Sequence, residues 1–339
     1  MSDIDNKTPT IGGLWGALYL FIGILLPFYN HLLFHSSGKV FPGFPFPIAA
    51  TWLQLSGVVL VLSILSYFRK LASEQKAFGR FFWSRVFVMW PVIFTQATNI
   101  MLMNTGLFML DVSLHVLLRA SEIVWVVLFS SLSKKERPSK KLLLACFVCL
   151  FGTLLIVLHI INEKGIKKPT IMALIVHFLT TVMSALNIVL FKVLSTKMNT
   201  QVPYKIDSVE LTRLNLFCQC FVILPCILLF EPAAFPTLLH PNPKLWVMLG
   251  AGLLLTSVYK LSFVALILHT RAITVGVVAQ LKIVPQVLLD VIFYKKYNFS
   301  VFILLGSLFT FTGTGWYTWI KYKMLKMLHQ SQEKMKLLQ

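Results

Sequence analysis

The sequence predicts an all-α membrane protein of ten transmembrane helices, arranged as two inverted five-helix repeats with both termini in the cytosol. Three observations predict this fold: the apolar composition, the length and spacing of the apolar runs, and a repeat between the two halves. Hydrophobic residues make up 57% of the 339 residues and charged residues 13%. Because a soluble domain carries roughly 25% charged residues, the chain is predicted to lie in a membrane.

Ten apolar runs of about 20 to 25 residues are long enough to cross about 30 Å of hydrocarbon as helices. Charged residues, prolines and glycines separate the runs. The predicted spans are 11–35, 45–67, 86–110, 111–133, 142–161, 170–196, 212–230, 245–269, 272–294 and 299–320. The two repeats then cover 11–161 and 170–320, between a cytosolic N-terminal tail over 1–10 and a basic cytosolic C-terminal tail over 321–339.

The distribution of basic residues predicts the orientation. With the N-terminus in the cytosol, 20 of the 31 lysines and arginines fall on the cytosolic side, counting Arg213 at the cytosolic end of its span; seven fall on the opposite side and four lie deeper within spans. Basic loops are typical of the cytosolic face. The net charge of +19 therefore indicates contacts with anionic lipids and not a nucleic-acid surface. All five cysteines fall inside predicted spans, where we expect them to pack without a metal or redox role.

An internal repeat links the two halves. Residues 111–153 align with residues 272–314 without a gap, at a shift of 161 positions. Five spans separate the two segments, an odd number, so the segments are predicted to cross the membrane in opposite directions. Inverted repeats of this kind build a substrate site near the bilayer midplane in transporters. At this shift Lys134 and Lys135 fall on Lys295 and Lys296, and Gly152 falls on Gly313.

Ionisable residues inside the spans are candidate site residues, because a charge in hydrocarbon costs about 2.5–3.5 kcal/mol. Lys282 lies near the middle of the ninth span. Its repeat equivalent in the fourth span is Ser121, and Arg119 lies two positions before Ser121. Lys260 in the eighth span has Asn99 in the third span as its repeat equivalent. We expect these residues to form an anion site that the two halves share.

Several of the intramembrane groups have a second interpretation. Arg119 and Glu122 are i,i+3 neighbours, so they can pair within a helix and leave Arg119 with a structural role. Lys192, near the cytosolic end of the sixth span, is either a site residue or a lysine that extends to the membrane surface. Asp290, near the far end of the ninth span, is expected to be solvated. Tyr259 lies in mid-span and is expected to face a cavity.

Five stretches carry a family resemblance through their order and spacing. They are "FYNHLLF", "FPFPIAATWLQL", "VSLHVLLRASEIVWVVLFSSLSKKERPS", "SALNIVLFKVLSTKM" and "YKLSFVALILHTRAITVGVVAQLKIV". Together the stretches resemble the triose-phosphate/nucleotide-sugar translocator branch of the drug/metabolite transporter superfamily, over nearly the whole chain. The resemblance implies ten helices in two inverted halves. It also implies exchange of phosphorylated sugars or nucleotide sugars for phosphate or nucleotide monophosphate.

The resemblance also implies roles for individual residues. Arg119 stands where plastid-type members carry a phosphate-binding lysine, Tyr259 at their tyrosine, and Lys282 at the lysine of a Lys-Arg pair. Ile283 replaces the arginine of that pair, and His115 stands where those members carry a threonine. The missing arginine argues against a compact triose-phosphate site, so nucleotide sugars gain weight as the substrate class.

The sequence therefore predicts a secondary antiporter and not an enzyme, since no catalytic motif shares one aqueous face. The expected partners are a phosphorylated small-molecule substrate and its counter-substrate, membrane lipids and a second copy of the chain, with no cofactor, metal or nucleic acid. The start "MSDIDNKTPT" lacks the features of a transit peptide, which favours the Golgi or endoplasmic reticulum membrane over the plastid envelope. The predicted substrate-binding residues are Lys282, Arg119, Tyr259, Lys260, Asn99, His115 and Lys192.

Two other functions stay open from the sequence. One is a transporter that couples a non-phosphorylated solute to protons through Glu122 or Asp290. The other is a membrane scaffold that retains the fold without transport. Basic residues near the midplane favour the antiporter, because a scaffold has no need to maintain them at their cost in the membrane.

Overall fold

The computed structural model describes residues 8–35, 43–69, 75–110, 112–119, 121–133, 139–164, 168–200, 206–239, 242–269, 282, 285–286, 289 and 300–337. Within these ranges every regular element is a helix and no strand occurs. The helices are α1 (Thr8–His35), α2 (Pro47–Phe68), α3 (Phe82–Met109), α4 (Val112–Arg119), α5 (Glu122–Leu132), α6 (Lys140–Lys164), α7 (Lys168–Thr200), α8 (Ser208–Phe230), α9 (Ala234–Leu239), α10 (Pro243–His269) and α11 (Val301–Leu337).

Eight segments in the described part of the chain are long and apolar enough to cross a membrane. They match the first eight predicted spans to within a few residues at most ends. The prediction of an all-helical, multi-pass membrane protein is confirmed. The predicted ninth span, 272–294, lies outside the described residues apart from four positions, and the tenth, 299–320, falls largely in the first part of α11.

Polar and apolar side chains are distributed as expected for a helix bundle surrounded by lipid. Large apolar side chains such as Phe21, Phe87 and Phe147 are exposed on the outside of the bundle. Amide side chains such as Gln54 and Asn104 are buried inside it. A polar group in hydrocarbon without a hydrogen-bond partner is costly, so the helices turn their polar positions towards one another and enclose a polar interior.

Helix neighbours follow a regular pattern. Helix α1 packs against α10 and α3 packs against α7, while α2 packs against both α8 and α10, and α3 also packs against α8. Helix α6 packs along α11. Most of these partners are far apart in the sequence, so the bundle is closed by contacts between the first and second halves of the chain.

Helices α6 and α11 approach closely because glycines lie at their crossing. A Cβ added at Gly152 would lie 2.5 Å from the Gly306 carbonyl oxygen and 2.6 Å from the Thr310 nitrogen. A Cβ added at Gly313 would lie 2.6 Å from the Cys149 nitrogen and 2.9 Å from the Ala145 carbonyl oxygen. Backbone contacts this close admit only glycine, as is typical of packed membrane helices.

The predicted fourth span, 111–133, matches one candidate membrane span over Leu114–Leu132, which comprises the separate helices α4 and α5. Arg119 is the last residue of α4 and Glu122 is the first residue of α5. Between them, the Ser121 hydroxyl donates to the Leu118 carbonyl at 3.0 Å. A cation at the carbonyl end of one helix and a carboxylate at the amide end of the next both complement the helix dipoles, so the interruption is favoured electrostatically.

The ends of α2 and α8 are joined by two polar contacts. The Glu231 carboxylate accepts hydrogen bonds from the amides of Ile48 at 3.1 Å and Ala49 at 2.8 Å, in the first turn of α2. At the other end, Arg69 forms an ion pair with Asp207 at 2.6 Å. Asp207 also caps α8 by accepting from the Val209 amide. Helix ends leave backbone groups without intrahelical partners, and these side chains satisfy some of them.

Candidate substrate cavity

A polar cavity lies inside the helix bundle. It is lined from α1, α2, α3, α7 and α10, from the α4–α5 junction and from Lys282, and it encloses about 740 Å³, counting its open edges. We call it the central cavity. Its polar lining residues are Tyr19, Asn30, Thr51, Gln54, Gln96, Asn99, Asn104, Arg119, Glu122, Ser184, Asn187, Thr256, Tyr259, Lys260 and Lys282.

Two tyrosines hold the Lys282 ammonium group. Lys282 Nζ donates to the Tyr19 hydroxyl at 3.3 Å and to the Tyr259 hydroxyl at 3.5 Å. It also lies 4.8 Å from the Tyr19 ring centroid and 5.5 Å from that of Tyr259. No carboxylate among the described residues pairs with it. Lys282 is therefore oriented by hydroxyls and ring faces, and no described residue compensates its positive charge.

Gly23 on α1 makes room for this arrangement. A Cβ there would lie 3.3 Å from both Lys282 Cδ and Tyr259 Cε2. The Gly23 carbonyl also accepts a hydrogen bond of 2.8 Å from the Gln286 side chain. The tyrosine rings stack with centroids 5.1 Å apart, so α1, α10 and the segment that carries Lys282 meet at one point.

Arg119 is paired, unlike Lys282. Its Nη2 lies 3.0 Å from Glu122 Oε2 and 3.4 Å from Ser184 Oγ, and the Ser184 hydroxyl donates to Glu122 Oε1 at 2.7 Å. The Arg119 and Glu122 side chains are 17% and 7% exposed. This geometry matches the interpretation in which Arg119 and Glu122 form an internal ion pair. Arg119 still lines the cavity, but Glu122 compensates its charge.

Lys260 is a second lysine whose charge no described residue compensates. It lines the central cavity from α10, is 6% exposed, and has no hydrogen bond or ion pair to any described residue. Asn99 on α3 and Asn187 on α7 line the same cavity, and each has a buried amide oxygen that is unpartnered in the described part of the chain. Buried polar groups are normally satisfied, so these groups are available to a ligand.

Other amides in the cavity are satisfied by one another. Gln54 donates to Asn30 at 3.2 Å, Asn30 donates to Asn104 at 3.2 Å, and Asn104 donates to Thr51 at 2.6 Å. The Thr256 hydroxyl on α10 donates to Gln54 at 3.2 Å. This network joins four helices and forms the uncharged wall of the central cavity.

His115 lies in a smaller adjoining cavity that Arg119, Glu122, Tyr259 and Lys282 also line. It is 1% exposed, and its Nδ1 lies 3.2 Å from Nε2 of His177. Gly106 permits this pair, because a Cβ there would lie 2.5 Å from His177 Cε1. His115 is thus near the predicted anion site, but a histidine on α7 occupies one of its nitrogens.

Six of the seven predicted site residues line these two adjoining cavities, and Lys192 lines neither. The Lys192 ammonium donates to the Ile267 carbonyl at 2.8 Å. Ile267 lies in the last turn of α10, where carbonyls have no intrahelical partner. Lys192 therefore caps a neighbouring helix. Asp290 and Ile283 lie outside the described residues.

Sequence reasoning did not include Tyr19, Ser184 or Asn187 among the site residues. Tyr19 reaches Lys282 and Ser184 reaches the Arg119–Glu122 pair. The available signal was weak, because single hydroxyl and amide side chains are tolerated in spans for packing. The repeat offers a signal for Ser184, because Ser184 falls on Gly23 at the shift of 161 and a Cβ at Gly23 would lie 3.3 Å from Lys282 Cδ.

No protein-family model matches the chain, and no curated protein matches it. A protein of known crystal structure is similar in fold, with a TM-score of 0.59 at 14% sequence identity. The superposition covers 94% of this chain and 99% of the other. At this identity the similarity shows a shared fold alone.

Proposed function

We propose that the chain is a secondary antiporter that exchanges a phosphate-bearing sugar conjugate, either a nucleotide sugar or a sugar phosphate, for nucleotide monophosphate or phosphate. One observation carries the proposal. Lys282 and Lys260 line one cavity inside the membrane-spanning bundle, and neither pairs with a described carboxylate. Unpaired cations in a membrane are costly unless a ligand compensates them, and an anionic substrate does so.

The proposed architecture is ten helices in two inverted repeats, as in the translocator family that the sequence resembles. The α6–α11 crossing supports it. At the shift of 161, Gly152 falls on Gly313. Gly152 lies against Gly306 and Thr310, and Gly313 lies against Ala145 and Cys149. Ala145 and Cys149 are themselves the repeat equivalents of Gly306 and Thr310. The packing of the helices also agrees with an inverted repeat. Interchanging the two halves converts the α1–α10 pair into the α7–α3 pair, and both pairs are in contact.

The interruption between α4 and α5 also supports a transporter. Transporters commonly place the ends of a broken helix beside the substrate, near the bilayer midplane. Here Arg119 and Glu122 mark the two helix ends, and both line the central cavity. In this proposal the junction is a binding element of the first repeat, and Lys282 belongs to its counterpart in the second.

In this proposal, substrate binding is coupled to the movement of the two halves through the charge of the central cavity. Among the described lining residues, Arg119 and Glu122 cancel, while Lys260 and Lys282 leave two positive charges. An empty cavity with this charge resists closure in a low-dielectric environment. A substrate with two negative charges neutralises it and lets the halves rock, so exchange is favoured over net transport in one direction.

The remaining features of the proposal follow from the sequence. Both termini face the cytosol because most basic residues then fall on that side. The compartment is the Golgi or endoplasmic reticulum membrane, and the chain is not an enzyme. Lipids and a second copy of the chain are the proposed macromolecular partners. The Glu122 carboxylate is engaged by Arg119 and Ser184, which weighs against a proton-coupled carrier that uses Glu122.

Two measurements test the function. Thermal unfolding of the purified protein is followed with inorganic phosphate, nucleotide monophosphates and sugar phosphates, because a ligand that binds the folded state raises the melting temperature. The compounds that stabilise the protein are then loaded into proteoliposomes. We expect uptake of labelled substrate only when a counter-substrate is inside. Absence of stabilisation by every phosphorylated compound would support the scaffold.

A further inference from the structure

Lys260 and Lys282 approach the cavity from different sides of Tyr259. Tyr259 and Lys260 are consecutive in α10, so their side chains point about 100° apart around the helix. The Tyr259 hydroxyl faces Lys282, on the side where the adjoining His115 cavity begins. Of the two cavities, Lys260 lines the central cavity alone, whereas Lys282 lines both. The two lysines therefore differ in the surfaces that they line.

Helix geometry places Lys260 in the amide-lined part. Lys260 lies four residues after Thr256, so both residues share one face of α10. Long side chains in helices extend towards the preceding turn, which here is the turn of Thr256. Thr256 in turn donates to Gln54, a member of the amide network. Lys260 therefore lies on the α10 face that carries Thr256, next to the amide network.

No contact within the described part of the chain explains this position of Lys260. The side chain is 6% exposed and makes no hydrogen bond or ion pair with any described residue. Lys192 shows what a structural lysine does in the same bundle, since it donates to a helix-end carbonyl. The amide oxygens of Asn99 and Asn187, which line the same cavity, also have no partner in the described ranges. The cavity therefore offers a cation to an anionic group and two amide oxygens that accept from hydroxyl or N–H donors of the same ligand.

We propose that Lys260 is a second anion-binding residue, separate from Lys282, with Asn99 and Asn187 as neighbouring hydrogen-bonding groups. The fitting substrate has two distinct anionic groups joined by a short bridge, such as the diphosphate of a nucleoside diphosphate conjugate, and not a single phosphate ester. One phosphate binds at Lys282 and the tyrosine hydroxyls, and the other binds at Lys260. This inference rests on the proposed antiporter function and selects among its substrates.

Inorganic phosphate and inorganic pyrophosphate are suitable probes, because they differ in the number of phosphate groups and carry no base or sugar. Binding of each is measured by thermal shift and by titration calorimetry on wild type, Lys260→Met and Lys282→Met. We expect Lys260→Met to weaken pyrophosphate binding at least tenfold and phosphate binding less than twofold. We expect Lys282→Met to weaken both at least tenfold. The mono- and diphosphates of the common nucleosides then repeat the comparison.

The ligand-free protein supplies a control for folding. Methionine removes the unpaired charge and keeps most of the side-chain length, so ligand-free Lys260→Met should melt at the same temperature as wild type or higher. Lys260→Arg restores the charge and should recover part of the pyrophosphate affinity. A lower melting temperature together with unchanged pyrophosphate affinity would contradict the inference and assign Lys260 a structural role.

The two proposals fail in different ways. If wild type binds no phosphorylated compound, the antiporter function is wrong. If wild type binds phosphate and pyrophosphate but Lys260→Met weakens both equally, Lys260 belongs to one common phosphate site and the second subsite is wrong. If Lys260→Met weakens neither, the subsite is also wrong, while the function stands.

Discussion

Glu122 compensates the charge of Arg119 inside the bundle, with 3.0 Å between Glu122 Oε2 and Arg119 Nη2. Ser184 contacts both partners, so the guanidinium and the carboxylate are held together at the junction of α4 and α5. The pair is buried, and the two side chains depend on each other for stability more than the sequence spacing alone indicates.

We expect Arg119→Met to destabilise the protein by about 3–5 kcal/mol, because it leaves a buried carboxylate without its cation. Glu122→Gln should be tolerated better, since the amide can still accept from Arg119. The double variant should recover much of the stability that Arg119→Met loses. Melting temperatures in detergent check the three variants. Strictly additive losses would contradict a coupled pair.

Glu122→Gln should also change ligand binding. Removing the carboxylate releases the charge of Arg119 into the cavity while the ion-pair geometry is kept by hydrogen bonds. Inorganic phosphate should therefore bind about three- to tenfold more tightly than to wild type, a gain of about 0.7–1.4 kcal/mol. Titration calorimetry measures this change. Weaker binding would mean that Glu122 positions Arg119 for the ligand and does not merely neutralise it.

The tyrosines around Lys282 give a third prediction. Tyr19→Phe and Tyr259→Phe each remove a hydroxyl that accepts from Lys282 Nζ, while the stacked rings remain. Each change should weaken phosphate binding about three- to tenfold, which corresponds to one lost hydrogen bond. Tyr322→Phe on the exposed part of α11 is the matched control. Equal effects at all three positions would remove any special role for the pair.

The glycines of the α6–α11 crossing give a prediction for the fold. Gly152→Ala and Gly313→Ala each place a Cβ within 2.6 Å of backbone atoms, and we expect each to destabilise the protein by about 1–3 kcal/mol. Gly315→Ala in the same helix is the control, because nothing lies within 4 Å of its Cβ position. Thermal unfolding of the three variants tests the crossing. A similar melting temperature for all three would show that the helices are less closely packed.

A fifth prediction concerns the cap of α2. Glu231→Ala removes the acceptor for the Ile48 and Ala49 amides, and we expect a loss of about 0.5–2 kcal/mol. Glu231→Gln keeps one acceptor oxygen and should lose less. Asn162→Ala, at an exposed position near the end of α6, is the control, again by thermal unfolding. The cap has no role if Glu231→Ala and Asn162→Ala behave alike.

The sequence predicts the helices well because each apolar run has the length that the bilayer imposes. It also predicts Lys282, Lys260 and Asn99 as cavity residues, because polar groups deep in an apolar run must face inwards. The partners of these groups are harder to predict. Whether Lys192 meets a ligand or the Ile267 carbonyl depends on how α7 packs against α10, a long-range relationship that local pattern does not contain.

The helix interruption at the α4–α5 junction is a second case that the sequence pattern does not reveal. No proline or glycine marks it, and the apolar run continues on both sides. The break becomes favourable only when Arg119 and Glu122 face helix ends and Ser184 from α7 contacts both. Such tertiary stabilisation cannot be read from hydropathy or spacing.

In the proposed antiporter, Lys282 binds the transported anion. Counter-substrate-driven uptake into proteoliposomes tests it most directly, with Lys282→Met compared against Lys192→Met, a lysine of the same bundle that lines neither cavity. We expect Lys282→Met to reduce exchange at least 20-fold at equal incorporation, and Lys192→Met to retain most of it. Undiminished exchange by Lys282→Met would contradict a role for Lys282 in binding the substrate.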